Sequence, residues 1–129
     1  MRVLFVEDDA MNRRVVRDML TVARAEMLEA EDAVVGLRMI DEQDFDVILM
    51  DLRMPGMNGF EAIRHIRDRK DSKASLPVIV VTADTGVRIR EDCLECGADD
   101  VIMKPVAMKS LFDAIGRIVV AAAKRKAAA

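Results

Sequence analysis

Aromatic residues are scarce in this chain of 129 residues, which contains no tryptophan, no tyrosine and only four phenylalanines. The absence of tryptophan and tyrosine removes the usual intrinsic fluorescence signal. The remaining composition is balanced, because 52% of the residues are hydrophobic and 33% are charged. This balance predicts one folded domain rather than a disordered chain.

The chain also lacks a strong excess of charge of either sign. Its 20 lysines and arginines nearly balance 23 acidic residues, and the net charge of −3 does not indicate a nucleic-acid-binding surface. No apolar run reaches the length of a membrane span, and the start MRVLFVEDD becomes acidic too early for a signal peptide. We therefore expect a cytoplasmic protein that contacts neither nucleic acid nor a membrane.

Cysteine and histidine are equally rare. Cys93 and Cys96 form a CxxC pair, which can indicate a redox centre or half of a zinc site. Since no second pair exists and the single histidine, His65, is distant in sequence, we interpret the cysteines as small, partly buried residues on one helix. His65 lies in a charged helical stretch and is expected to be solvated.

Strand and helix patterns alternate along the chain. Short β-rich apolar runs predict strands at 2–6, 26–30, 45–50, 77–83 and 100–104. Helical spacing of apolar residues predicts helices at 10–23, 33–43, 59–69, 87–96 and 107–122. The alternation predicts an α/β fold with a doubly wound parallel sheet covered on both faces. One domain over 1–122 is expected, followed by a frayed or disordered tail at 123–129.

Polar residues follow the predicted strands at the edge where such sheets bind ligands. They are Glu7, Asp8 and Asp9 after the first strand, Asp51 after the third, Thr82 in the fourth and Lys104 at the end of the fifth. Each has an ordinary interpretation: Asp9 as a helix cap, Thr82 as a strand former, Lys104 as a surface residue. Their coincidence at the ends of four strands favours a site.

The chemistry of such a site follows from its charges. Carboxylates gathered at one sheet edge repel one another, and a hard divalent cation relieves the repulsion. Mg²⁺ binds a few carboxylates and keeps positions for phosphate oxygens, so a neighbouring carboxylate could attack phosphorus and form an acyl phosphate. Lys104 would then compensate the charge of the phosphoryl group, and the Thr82 hydroxyl would donate to one of its oxygens.

Over residues 1–120 the chain resembles the receiver domains of two-component response regulators. The resemblance rests on four motifs in order: VEDD (6–9), ILMDLRMPGMNG (48–59), VVTAD (80–84) and MKP (103–105). It implies a flavodoxin-like (βα)5 fold with strand order 2-1-3-4-5. It also implies a phosphoryl-accepting receiver of a two-component or phosphorelay system, in which Mg-dependent phosphorylation of Asp51 switches conformation and partner binding.

The resemblance implies a role for each matching position. Glu7 and Asp8 resemble the acidic pair that holds Mg²⁺, with Glu7 acting partly through water, and Asp51 and the backbone carbonyl of Arg53 match further ligands. Thr82 and Lys104 match the residues that bind the phosphoryl oxygens. Asp9 falls after the acidic pair and is not expected to be a main ligand. Pro105 matches a position that usually follows a cis peptide bond.

One position departs from the family pattern. Val101 stands where the family usually has an aromatic residue that moves inward with the threonine upon phosphorylation. We therefore expect the response in the loop 83–87 and in the helix after it, with little movement of the fifth strand. Arg53 and Asp84 either form an ion pair above the site or remain two solvated charges.

The resemblance also implies partners. A histidine kinase or a histidine phosphotransfer protein is expected to donate the phosphoryl group and to dock near Met11 and Val15 on the first helix. Val15 could equally belong to the core. A downstream protein target is a further partner that this role admits.

Two other classes compete with a signalling receiver. A pseudo-receiver would keep the fold without the chemistry, but the intact acidic pair, Asp51, Thr82 and Lys104 argue against it. A Mg²⁺ phosphohydrolase would carry a second acid two residues after its nucleophile, where this chain has Arg53. We therefore expect no enzyme acting on an external substrate, only a receiver that catalyses its own phosphorylation and dephosphorylation.

Overall fold

The computed structural model describes residues 1–128, which form five strands, five α-helices and one short 3-10 helix. The strands are β1 Arg2–Val6, β2 Glu26–Ala30, β3 Val47–Asp51, β4 Val78–Thr82 and β5 Asp100–Met103. The helices are α1 Ala10–Val22, α2 Ala33–Glu42, α3 Gly59–Arg67, α4 Ile89–Cys96 and α5 Met108–Ala128.

All strand pairs in the sheet are parallel, and the spatial order is β2-β1-β3-β4-β5. This order confirms the predicted flavodoxin-like, doubly wound α/β fold. The register places Val6 opposite Met50 and Thr82 opposite Met103. The carboxyl ends of β1, β3, β4 and β5 therefore finish at one edge of the sheet, and the residues that follow them become neighbours.

Two apolar cores lie on opposite faces of the sheet. α1 and α5 pack on one face through Val16, Leu20 and Leu111, which are all buried. α2, α3 and α4 pack on the other face, where Ile63 and Cys93 are buried. Strands β3 and β4 are buried along their whole length, which explains their continuous apolar sequences.

Helix α1 begins at a side-chain cap. The Asp9 carboxylate accepts hydrogen bonds from the backbone N–H groups of Met11, at 2.8 Å, and Asn12, at 3.3 Å. This is the capping interaction that the sequence allowed for Asp9, and it starts the helix immediately after the acidic residues of the first motif.

Most element boundaries differ from the prediction by one or two residues, and the end of α5 differs by more. β3 begins at Val47, because the Asp46 side chain accepts the backbone N–H of Arg2 at 2.7 Å at the start of the sheet. The 3-10 helix at Ser72–Ser75 was not predicted. α5 continues through Ala128, past its predicted end at 122, because alanine and lysine favour helix. The predicted tail is thus helical through Ala128, and residue 129 lies outside the described residues.

Within residues 1–128, none of the helices combines the length and the hydropathy that crossing a lipid bilayer requires.

Candidate functional site

A cleft of about 510 Å³ opens at the carboxyl edge of the sheet. It is lined by every residue that the sequence predicts for the site: Glu7, Asp8, Asp51, Arg53, Thr82 and Lys104. They come from the ends of four strands, so only the parallel register brings them together. Glu7 and Thr82 are 1% exposed and Asp51 is 4% exposed, whereas Asp8 faces solvent.

Lys104 connects the two buried acids of the cleft. Its Nζ lies 2.9 Å from Glu7 Oε2 and 3.5 Å from Asp51 Oδ1. Burial opposes the charge of Lys104, but its hydrogen bond to Glu7 and the charges of Asp51 and Glu7 outweigh burial, so the pKa of Lys104 lies above its usual value. The ammonium group is therefore charged and directed at the acids. The Lys104–Pro105 peptide bond is cis, as the resemblance implies.

The Asp51 carboxyl holds its proton more tightly than an ordinary aspartate does. Burial is the main cause and the Glu7 charge the second, and together they raise the pKa of Asp51 to about 6. Lys104 and the backbone N–H of Arg53, which lies 3.3 Å from Oδ1, act in the opposite direction. An additional cation beside Asp51 would favour the carboxylate form that nucleophilic attack needs.

The carboxylates of Glu7, Asp8 and Asp51 could hold a metal ion together. One oxygen atom from each lies within 4.8 Å of the other two, and this is the metal-compatible group found among the described residues. All three offer hard carboxylate oxygens, which suit Mg²⁺ better than softer metals. The residues present therefore fit the cation that the sequence predicts.

Gly59 brings the start of α3 against the end of β3. Its N–H donates to the Leu52 carbonyl at 2.9 Å, and a Cβ at this position would overlap the backbone of Asp51 and Leu52. Only glycine allows this approach, which holds the loop after Asp51 under the first turn of the helix.

The Thr82 side chain contacts the loop that follows β4. Its Oγ1 accepts the backbone N–H of Asp84 at 3.0 Å. The hydroxyl hydrogen is not used in that bond, so it can be donated to an oxygen in the cleft. A movement of Thr82 would therefore be transmitted directly to the loop at Asp84.

Arg53 and Asp84 form the ion pair that the sequence left open. Arg53 Nη2 lies 2.5 Å from Asp84 Oδ2, and the Asp84 carboxylate also accepts the backbone N–H of Gly86 at 2.9 Å. The Gly86 hydrogen bond, followed by the Arg53 guanidinium, holds the pKa of Asp84 below its usual value. The pair joins the loops after β3 and β4 at the mouth of the cleft.

Asn12 also lines the cleft, and the sequence interpretation missed it. It lies on the first turn of α1, where its Nδ2 donates to Glu7 Oε1 at 3.4 Å. The neighbouring Arg13 donates from Nη1 to the Glu7 carbonyl at 2.7 Å. A usable signal was present, because residues three and four positions after the cap Asp9 lie on the turn of α1 closest to the sheet edge.

The cysteines and the histidine lie away from the cleft. Cys93 is fully buried in the core, and burial raises the pKa of its thiol to about 11. Cys96 is partly buried and its Sγ donates to the Cys93 carbonyl at 3.2 Å. These environments confirm the structural interpretation of the pair, since a reactive thiol needs a low pKa. His65 is exposed, as expected.

Two apolar residues of α1 are exposed next to the cleft. Met11 is 67% exposed and Val15 is 41% exposed, so neither belongs to the core. They follow the capped start of α1, and the remaining turns of the helix bury Val16 and Leu20 on the opposite side. The alternative that Val15 is a core residue is therefore wrong.

A sequence model of the response regulator receiver domain matches residues 3–116 of the chain. The chain is 31% identical over 116 residues to "Sensor protein GacS" of Pseudomonas syringae pv. syringae, covering 88% of the chain and 13% of that protein. It is 40% identical over 135 residues to "Protein-glutamate methylesterase/protein-glutamine glutaminase 2" of Koribacter versatilis, covering 97% of the chain and 36% of that protein. The chain thus spans only a minor part of these curated relatives.

Among solved structures, the chain is similar to the receiver domain of a sensor histidine kinase from Pseudomonas aeruginosa PAO1. The TM-score is 0.83 with 31% sequence identity, and the match covers 92% of this chain and 96% of that one. That structure contains a magnesium ion coordinated in the active site cleft.

Proposed function

The chain belongs to the response regulator receiver domain family, and we propose that it accepts its phosphoryl group on Asp51. Its role is that of a phosphoryl-accepting signalling domain, as in histidine kinases and response regulators that carry such domains. The observation that carries the assignment is the position of Asp51. It is a buried carboxylate at the end of the central strand β3, 3.5 Å from the Lys104 ammonium, and it belongs to the acidic group of the cleft.

In the proposed transfer, a carboxylate oxygen of Asp51 bonds to phosphorus while the P–N bond of a donor phosphohistidine breaks. The imidazole keeps the electron pair of that bond and takes up a proton. Lys104 compensates the charge of the phosphoryl oxygens, and the Thr82 hydroxyl donates a hydrogen bond to one of them. Both groups already lie at the cleft.

We propose Mg²⁺ as the cofactor, held by Glu7, Asp8, Asp51 and the backbone carbonyl of Arg53. When bound, it supplies positive charge to the carboxylates and to the phosphoryl oxygens. The three close carboxylates support this choice, because they would otherwise repel one another.

The domain is proposed to catalyse only its own phosphorylation and dephosphorylation. Arg53 occupies the place of a general acid in aspartyl phosphohydrolases, but a guanidinium does not release its proton at ordinary pH. Its pairing with Asp84 gives it a different task at the cleft mouth.

The proposed phosphodonor is a histidine kinase or a histidine phosphotransfer protein that docks near Met11 and Val15. The exposure of both side chains beside the cleft supports this position. We further propose that the receiver unit spans residues 1–122 and that it is located in the cytoplasm. After phosphorylation it would bind a downstream protein target.

Intact-mass measurement tests the assignment. The chain is incubated with a small-molecule phosphodonor, with Mg²⁺ or with EDTA. We expect the mass of one phosphoryl group only with Mg²⁺, and none in Asp51→Asn. Asp18→Asn, an exposed aspartate on α1, is the matched control and should react like the unmodified chain. Mass gain in Asp51→Asn would move the acceptor to another residue.

A further inference from the structure

Glu7 is held at both of its carboxylate oxygens. Oε2 accepts Lys104 Nζ at 2.9 Å. Oε1 accepts the backbone N–H of Asp9 at 3.3 Å and the side-chain Nδ2 of Asn12 at 3.4 Å. Asn12 is the side chain on the Oε1 side of this arrangement, and the phosphoryl chemistry described above gives it no role.

The backbone of Glu7 is already fixed. Its N–H donates to the Ala30 carbonyl at 3.0 Å, and its own carbonyl accepts Arg13 Nη1 at 2.7 Å. The side chain is 1% exposed. The orientation of the Glu7 carboxylate group is therefore what can still vary. The hydrogen-bond donors at its two oxygens determine this orientation.

In the proposed reaction, Lys104 is shared between Glu7 and the phosphoryl oxygens. The same ammonium group is needed by the phosphoryl oxygens, and it can leave Glu7 to reach them. Asn12 stays on α1, so it can hold Oε1 after Lys104 has turned away. Without Asn12, the Asp9 N–H at 3.3 Å would be the single hydrogen bond described on Oε1.

The residue type suits this task. An amide donates a hydrogen bond without adding charge to a cleft that already contains Glu7, Asp8 and Asp51. A lysine or arginine in its place would compete with a cation, and an aspartate would repel Glu7.

We propose that Asn12 is a positioning residue of the metal site, which orients the Glu7 carboxylate through its side-chain amide. This inference rests on the proposed function, since it takes Glu7 as part of the Mg²⁺ site. Outer residues of this kind tune metal affinity through the ligands that they contact.

Calorimetric Mg²⁺ titration of the full chain tests the proposal in four forms: unmodified, Asn12→Ala, Glu7→Gln and the double variant. We expect Asn12→Ala to weaken Mg²⁺ binding about tenfold, the lower end of the range for such outer contacts. In the Glu7→Gln background the effect of Asn12→Ala should be much smaller, because the charge-assisted hydrogen bond is already lost. Arg14→Ala, exposed on the same helix turn, is the control.

Equal weakening in both backgrounds would overturn the proposal, because Asn12 would then act without Glu7. Unchanged affinity in Asn12→Ala, with Glu7→Gln impaired, would remove this inference and leave the proposed function intact. Absence of Mg²⁺ binding by the unmodified chain would remove both. If Glu7→Gln binds Mg²⁺ too weakly for titration, the NMR spectrum of the metal-free protein tests the contact between Asn12 and Glu7. The Asn12 side-chain amide signals should shift in Glu7→Gln, and unchanged signals would overturn the contact.

Discussion

The Arg53 guanidinium lies 2.5 Å from the Asp84 carboxylate, Nη2 to Oδ2, and joins the loops that follow β3 and β4. The Arg53 side chain is 79% exposed and that of Asp84 is 19% exposed, and both residues lie at the rim of the cleft. A pair this exposed contributes little to folding stability. Its position makes it relevant to the approach of water to Asp51.

The first prediction concerns the lifetime of the phosphorylated state. Arg53→Ala and Asp84→Ala should each speed loss of the phosphoryl group modestly, by about two- to fivefold, because an exposed ion pair is weak. The double variant should be no faster than the single variants, because either change breaks the same pair. Intact mass followed over time gives the rates. Arg88→Ala removes another exposed arginine of the neighbouring loop and should have no effect; strictly additive rates would remove the pair from the mechanism.

The second prediction concerns Lys104. Lys104→Ala should slow phosphorylation by a small donor about a hundredfold, since one positioned group for the transferring charge is lost. Mg²⁺ binding should persist, because the carboxylates remain. Rates come from intact mass and affinities from calorimetry. Lys109→Ala is the control, because Lys109 is 86% exposed and pairs with Asp113. A Lys104→Ala variant that reacts at the normal rate would contradict the role of this ammonium group.

The third prediction concerns pH and metal-free stability. Burial, followed by the Glu7 charge, raises the pKa of Asp51 from 3.8 to about 6 in the folded chain. The folded chain therefore binds this proton more tightly than the unfolded chain. The resulting stability is fully present below pH 3.8 and is lost as the pH rises through about 6. Asp51→Asn cannot ionise and does not lose it.

In EDTA at about pH 7.5, Asp51→Asn should thus be more stable than the unmodified chain by about 1–3 kcal/mol. The difference should shrink as the pH falls from about 6 to 3.8 and should be small below 3.8. Saturating Mg²⁺ should reverse the order, since it stabilises the folded carboxylate form. Denaturant unfolding followed by circular dichroism measures this, because the chain has no tryptophan. Parallel stability curves for the two chains across this pH range would show that the Asp51 pKa is not raised.

The fourth prediction concerns partner docking. Met11→Asp should slow phosphoryl transfer from a phosphohistidine protein and leave the reaction with a small donor intact. The reason is that a charge placed in an exposed apolar contact disfavours association. Val22→Asp is the matched control, because Val22 is also 67% exposed but lies at the far end of α1. Equal loss with both donors would indicate general destabilisation instead.

The fifth prediction concerns the conformational response. Backbone NMR with a beryllofluoride mimic of the phosphoryl group should show its largest remote shifts in residues 83–96. The Thr82 hydroxyl accepts the backbone N–H of Asp84 at 3.0 Å, so a movement of Thr82 would displace this loop. Val87 in the same loop is 99% exposed, so its side chain does not hold the loop against the core. α4 is short, and its N-cap Arg88 makes no side-chain capping bond, so its first turn lacks one of the usual stabilising contacts.

Val101 is the reason why we expect only small chemical-shift changes in β5 and α5. It is partly buried against the core and has no polar tip to exchange between water and a buried partner. Asp51→Asn with the mimic should show none of the remote shifts. Dominant changes at Val101 and α5 would contradict this route of activation.

Much of the fold and the site followed from local sequence. The continuous apolar runs of β3 and β4 and the helical spacing between strands are properties of neighbouring residues, so they predict elements before any contact is known. Once the elements alternate, the parallel sheet and its ligand-binding edge follow from general rules of connection. The end of α5 was predicted too early, because helix propensity continued through a low-complexity segment.

The tertiary structure decided what depends on residues distant in sequence. The exposure of Val15, the pairing of Arg53 with Asp84, and the contact of Asn12 with Glu7 depend on how helices and loops pack around the sheet edge. The raised pKa of Asp51 is of the same kind, because burial by surrounding elements and the Glu7 charge cause it. Sequence by itself determined which groups follow each strand. Only the parallel register and the packing determined which of them meet, because distance and burial are not properties of a local pattern.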